Sequence, residues 1–231
     1  MVLIACALAV GAAADAQAAA DIYGYDLSTG EEFPISTGDS EQFWPNVSGN
    51  FAVWQDDRNR IMDPGGSDLH EQNYDIYGYR FDTQEEFPIC TAAGYQGDPA
   101  IDGDIVVWTD YRNSSNADIY GYNLQTGDEF TVCDAAGSQY RPDVSGDLVV
   151  WGDSRNSTSD IYGRDLSTGE EFAVCTSPGD QLWPAIDGDI VAWVDDRSGE
   201  IGFEIYACNL SSGEEFPVST ESTMSFEPDV S

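Results

Sequence analysis

Four Asp-x-Arg triplets recur along the chain, at Asp56/Arg58, Asp110/Arg112, Asp153/Arg155 and Asp195/Arg197. An acidic residue also precedes each Ile-Tyr pair, at Asp21, Asp75, Asp118, Asp160 and Glu204. An Arg fork matches a carboxylate through two parallel N–H donors. The triplets therefore read either as guanidinium groups awaiting an anionic ligand, or as ties between the loop after one strand and the acid that opens the next. Identical repetition favours the structural reading, because a catalytic site needs each role only once.

Recognition is better sought where the scaffold repeats and the side chain does not. Gln42, Gln96, Gln139 and Gln181 each stand three residues before a Pro, and the residue just before that Pro, or its counterpart near the C-terminus, is Trp44, Asp98, Arg141, Trp183 or Glu227. Trp and Arg are strong recognition groups, and exposed aromatic faces suit sugar rings. The single His, His70, sits in an insert over residues 60–74 beside Asp63, Asp68 and Glu71, where it reads as an exposed loop residue and not as a metal ligand. No Gly-x-Ser-x-Gly, phosphate loop or Ser/His/Asp set is present, so nothing supplies a nucleophile with its base. Carboxylate pairs for glycoside hydrolysis are abundant, but no pair stands out.

These residues sit on a repeat. Trp54, Trp108, Trp151 and Trp193 mark one half of it, and Phe33, Phe87, Phe130, Phe172 and Phe216 the other. A period of about 40 to 45 residues filled with short strand patterns is the signature of propeller blades. In one copy, 98–101 predicts a first strand, Asp102-Gly103 a hairpin turn, 105–108 a second strand, 118–124 a third and 129–133 a fourth. The second strand, Ile-Val-Val-Trp, is apolar on both faces, as in a sheet covered on both sides. Gly121 opposite Tyr120 and Tyr122 predicts room for a neighbouring blade's bulk. No amphipathic helix is expected after residue 20.

Pro-Ala-Ile-Asp-Gly-Asp-Ile-Val-Ala-Trp at 184–193, Asp195 and Arg197, Ile205-Tyr206 and a Gly-containing turn before the fourth strand resemble the TolB-like propeller repeats of exported and cell-surface proteins. The resemblance covers nearly all of 21–231. It implies an all-β propeller of four-stranded antiparallel blades and places the residues before the Pro at the mouth of a central channel. Related pectate-type lyases use several His residues, which this chain lacks. A shared fold does not carry function.

The repeat units run over about 21–74, 75–117, 118–159, 160–203 and a partial 204–231. Four blades are expected to be complete and one composite or incomplete, a five-bladed type truncated by a strand or an open piece of a larger ring. Residues 1–20, with an apolar run from Val2 to Val10 and Ala16-Gln17-Ala18, read as a signal peptide. It is too short to span a bilayer.

The formal net charge is −35, from 43 acids against 8 bases, and all the bases are Arg. Spread through repeated turns, this charge describes an acidic folded surface, and it excludes nucleic acid as a partner, since phosphates require basic patches. Adaptation to salt accounts for it, with Ca²⁺ sites as the alternative; no other metal or cofactor is implied. Cys90, Cys133 and Cys175 repeat on fourth strands, too far apart for disulfides, and with Cys208 read as unbridged, half-buried thiols. Among the Asn-x-Ser/Thr sequons, Asn113 and Asn156 are the glycosylation candidates. The functional expectation is an exported, non-catalytic propeller without a transmembrane span, binding protein or glycan at a cell surface or in the periplasm, as a monomer or a part of a larger modular protein. The alternatives are a carbohydrate-active enzyme of glycosidase type and a structural surface-layer unit.

Overall fold

The computed structural model describes residues 2–8, 20–60, 73–113, 116–199, 202–223 and 228–230. Among them every regular element is a strand. β1 (Val2–Leu8), β2 (Ala20–Asp26) and β3 (Glu31–Ser36) form a three-stranded sheet in that order. Four four-stranded sheets follow, each in chain order. The first holds β4 (Gln42–Ser48), β5 (Phe51–Asp56), β6 (Asp75–Arg80) and β7 (Glu85–Cys90), and the second β8 (Gln96–Asp102), β9 (Ile105–Asp110), β10 (Asp118–Asn123) and β11 (Asp128–Cys133). The third holds β12 (Gln139–Ser145), β13 (Leu148–Asp153), β14 (Asp160–Asp165) and β15 (Glu171–Cys175), and the last β16 (Gln181–Asp187), β17 (Ile190–Asp195), β18 (Phe203–Asn209) and β19 (Glu214–Thr223).

These sheets are the blades expected from the repeat. Val2–Leu8, read above as part of an export leader, lies in the second-strand position of the first sheet, paired from Val2↔Asp26 to Leu8↔Ala20, where the sequence reading left no strand. The turns between first and second strands fall one residue later than expected. Ser145 pairs with Leu148 and Asp187 with Ile190, so Gly146-Asp147 and Gly188-Asp189 are the central pairs, with φ of 56° and 54° at the glycines. Positive φ at that position matches the twist of the strands, and glycine adopts it without strain.

The chain divides into two compact units, Met1–Pro99 with Asp110–Ser114, and Ala100–Thr109 with Ser115–Ser231. The core of the first gathers Ile22, Ile35, Ala52, Trp54, Tyr77 and Tyr79. The second has two clusters, one around Val107, Ile119, Val149 and Trp151 and one around Val150, Ile161, Val191 and Trp193. The second-strand Trp of each four-stranded sheet is fully buried. The β-branched neighbours that make these strands favourable are buried with it.

The glycine of each Ile-Tyr-Gly third strand answers a different need from the one the sequence suggests. Gly121 pairs directly with Phe130 of its own blade's fourth strand, and a Cβ at Gly121 stands 2.6 Å from that ring. Gly24 and Phe33, Gly78 and Phe87, and Gly163 and Phe172 repeat the arrangement. The bulk accommodated is thus the blade's own Phe, not a neighbour's. Ala207 alone replaces this glycine, opposite Phe216, and Phe216 is the one Phe of the set that is exposed, at 37%.

Gly121→Ala is therefore expected to lower stability by about 1–3 kcal/mol through overpacking. Adding Phe130→Leu should recover most of the loss, so a double-mutant cycle by denaturant unfolding should show strong coupling; additive effects would refute the contact.

Candidate functional site

The Asp of each Asp-x-Arg triplet closes its second strand with a fully buried side chain. Trp54, Trp151 and Trp193 donate their indole N–H to Oδ2 of Asp56, Asp153 and Asp195 at 3.1, 3.0 and 2.8 Å. The same oxygens accept from Arg58, Arg155 and Arg197 at 2.5, 2.6 and 2.6 Å. Oδ1 accepts each Arg's own backbone N–H at 2.8, 2.9 and 2.8 Å. Asp110 receives Arg112 at 2.7 Å from both the side chain and the backbone.

Each guanidinium then reaches outward. Arg58, Arg155 and Arg197 pair with Glu86, Glu171 and Glu215 on their own blades' fourth strands and lie 3.9, 4.2 and 3.9 Å over the rings of Tyr77, Tyr162 and Tyr206. Nη2 also reaches the preceding sheet: Arg58 donates to Ser36 Oγ at 3.2 Å, and Arg112, Arg155 and Arg197 donate to Sγ of Cys90, Cys133 and Cys175 at 3.2, 3.4 and 3.2 Å. One Arg thus holds its own blade and the one before it. The thiols are buried and unbridged, and burial pushes Cys133 up to about 12.

The partner assigned to these Arg from sequence needs correction. The acids that open third strands receive Asn instead: Asn59 and Asn156 donate to Asp75 and Asp160 at 2.6 and 2.9 Å, and to the hydroxyls of Tyr77 and Tyr162 at 3.1 and 3.0 Å. The glycosylation candidate Asn156 is exposed, with its amide nitrogen engaged by Asp160 and Tyr162. Asn113 occupies the equivalent position. His70, Asp63, Asp68, Glu71 and Glu227 lie outside the described residues. Among the described residues no group of three or more His, Cys, Asp or Glu could hold a metal ion.

The remaining residues before Pro share one backbone feature. Trp44, Asp98, Arg141 and Trp183 have φ of 53°, 52°, 49° and 55°. At three of them the register shows a bulge: Phe43 and Asn46, Tyr140 and Asp143, and Leu182 and Ala185 pair with the second strand while the two residues between do not. Side chains of the preceding blade catch the displaced N–H groups of Asp98 and Arg141, through Gln55 Oε1 at 3.1 Å and Thr109 Oγ1 at 2.9 Å. In the second unit Arg141 lies 5.1 Å over the Trp183 ring. In the first, Trp44 is 51% exposed.

Within the first unit a file of rings, Phe43, Tyr74, Tyr95 and Tyr111, has centroid steps of 6.1, 5.7 and 5.7 Å. Burial raises the Tyr95 and Tyr111 phenols, and the Asp98 carboxylate raises them further. Sequence reasoning missed the Tyr pair. Its signal is internal: Glu41/Asp57, Tyr95/Tyr111, Ser138/Ser154 and Asp180/Asp196 hold equivalent places, each pair joined by a backbone hydrogen bond, and they change together.

No family model and no curated protein matches the chain. Solved structures do. TolB from Acinetobacter baumannii aligns with a TM-score of 0.64 at 15% identity over 87% of this chain and 49% of that one, so this chain spans about half its length. A putative TolB from Agrobacterium tumefaciens aligns at 0.53 and 14%, over 84% and 86%. An oligogalacturonate lyase in complex with manganese aligns at 0.61 and 16%, over 86% and 59%. The fold is thus a TolB-like propeller fold, and at such identities the likeness is one of fold.

Two carboxyls give opposite pH signatures. Burial alone would raise Asp195, but the bonds from Arg197 and Trp193 outweigh it and hold the carboxyl below its ordinary value. Its contribution is therefore present above the unfolded pKa, about 4, and is lost as pH falls through the folded value. Asp143 accepts backbone N–H groups from Ile186 at 2.7 Å and Val144 at 2.9 Å, yet burial, with Asp229 and Asp102 nearby, pushes it up to about 6. Its contribution is full below about pH 4 and is lost as pH rises through about 6. The unfolding midpoint of Asp143→Asn, which copies Asn46, should gain on the wild type between pH 4 and 6, whereas the wild type should gain on Asp195→Asn as pH rises toward about 4 from below and hold that lead above it; a constant gap over either window would contradict the assignment.

Proposed function

We propose that this chain is an exported, non-catalytic binding module that recognises a glycan or protein surface through the first-strand bulges, with Trp44 and Asp98 serving in one unit and Arg141 and Trp183 in the other. The observation that carries the reading is the left-handed backbone at four non-glycine residues. That conformation costs an L-residue about 1–2 kcal/mol, and a residue preceding Pro is pushed toward extended backbone instead. Glycine would relieve the strain. Bulky, chemically distinct side chains held in a costly conformation are a mark of ligand clamps, and the stacked Arg141 and Trp183 offer a flat face with a fork for carboxylate or hydroxyl groups.

The Asp-x-Arg network serves the fold in this reading, since each described Arg of it is already paired. For the glycosidase alternative, Asp143 has the raised carboxyl such an acid needs, but both its oxygens are held by backbone N–H groups. Export is proposed from the TolB-like fold and not from a leader, since Val2–Leu8 pairs as a strand of the first sheet; among the described residues no helix is long and apolar enough to cross a membrane. Modular attachment in a larger surface protein belongs to the same proposal.

The test is a glycan array and a surface-protein pull-down with the full chain, followed by titration of the best binder. The Trp44→Ala/Trp183→Ala variant should bind at least about tenfold more weakly, and Trp44→Gly should be more stable than wild type by about 1 kcal/mol. Unchanged affinity in the double variant would end the proposal.

A further inference from the structure

The first unit carries a second surface feature that the bulge residues do not touch. A cleft of about 510 Å³ opens between β3 and the end of β6, walled by Phe33, Pro34, Tyr79 and Phe81 and rimmed by Asp26, Thr29, Glu31, Glu32 and Gln84. The rings of Phe33 and Phe81 meet edge to face at 6.3 Å, and those of Tyr79 and Phe81 at 5.5 Å. Asp26 Oδ1 accepts from the Ser28 backbone at 2.8 Å and its hydroxyl at 2.7 Å, bonds that hold its carboxyl below the ordinary value. The cleft lining contains three acids and no base.

The repeat departs from its pattern at this place. Phe81 and Gln84 stand where the other turns have Leu27/Gly30, Leu124/Gly127, Leu166/Gly169 and Leu210/Gly213. Gln84 adopts φ 57° where those four positions use glycine at 70° to 78°.

The second unit shows what the equivalent groove accepts. Arg164 occupies the third-strand position that Tyr79 holds, and Val132 the fourth-strand position of Ile35. Arg164 crosses from its own blade to donate Nη1–H to the Val132 carbonyl at 2.7 Å. There the chain fills the groove with its own guanidinium. With Tyr79 in that place, the first unit leaves the groove open and lines it with carboxylates.

We infer that this cleft is a docking site for an arginine side chain on a basic segment of a partner protein, the guanidinium lying between the Phe33, Tyr79 and Phe81 rings and the Asp26, Glu31 and Glu32 carboxylates. The occupant is fixed by the Arg164 precedent and by charge complementarity, and the site is independent of the bulge residues. Aromatic walls with carboxylates at the rim suit a weakly hydrated planar cation.

The probe is the peptide acetyl-Gly-Arg-Gly-Arg-Gly-amide, titrated calorimetrically against the full chain at low ionic strength, with the same peptide carrying citrulline as the uncharged isostere. Saturable binding of the arginine peptide, at least about tenfold tighter than the citrulline peptide and weakening as salt rises, is expected. Tyr79→Arg should plug the cleft as Arg164 does and abolish binding while the unfolding midpoint is kept. Should that variant fold poorly, Glu31→Gln/Glu32→Gln, which alters two exposed side chains only, should weaken binding about tenfold. No saturable binding, equal binding of the citrulline peptide, or binding that survives in a folded Tyr79→Arg or in the double Gln variant would each overturn the site.

Discussion

A carboxylate taken out of water at the end of the second strand of each four-stranded sheet is the constraint on which the rest of this structure depends. An unpaired buried charge costs several kcal/mol, so every repeat must supply its donors, and it does so within a few residues. The Trp two positions earlier gives the indole N–H in three of the blades, and the Arg two positions later gives its guanidinium and its backbone N–H. Because an Asp two residues from both partners can satisfy them only if the strand ends in a tight loop, the motif fixes the loop as well as the charge. The Arg then spends its remaining donors on the fourth strand and on the preceding sheet, which links a local motif to the packing of consecutive blades.

That economy leaves other positions to vary. Where a residue serves all repeats it is almost invariant within the chain, as with the buried Trp, Asp and Arg and the glycine facing Phe. Where it serves none of them it diversifies, as in Trp44, Asp98, Arg141 and Trp183, or in the Tyr95/Tyr111 pair. The cleft beside Tyr79 follows the same rule, since a single exchange of Tyr for Arg between equivalent strands decides whether the groove is filled from within.

The blades were legible because their period, turns and apolar second strands are properties of the sequence itself. Strand boundaries follow within a residue or two, and the positions that break the repeat could be chosen by alignment of the chain with itself. The partners of Arg58 and Arg155 were not legible, because two acids lie at compatible separations and only the strand register shows that Asn59 and Asn156 already occupy the second one. Gly121 was read as making room for another blade because its pairing with Phe130 is set by register, not by spacing. The left-handed backbone at the bulges ran against the ordinary preference of the residue before Pro. The cleft joins residues about 50 apart in sequence, and no local pattern announces it.

The buried Asp hub is tested most directly by measuring denaturant unfolding of Asp56→Ala, Asp153→Ala and Asp195→Ala against the wild type in the same buffer. Each variant is predicted to lose about 1–3 kcal/mol, the cost of leaving the buried indole N–H without its acceptor, with the three losses alike because the three hubs are alike. Losses below about 1 kcal/mol, or a large loss at one hub alone, would contradict the claim that these carboxylates hold their blades.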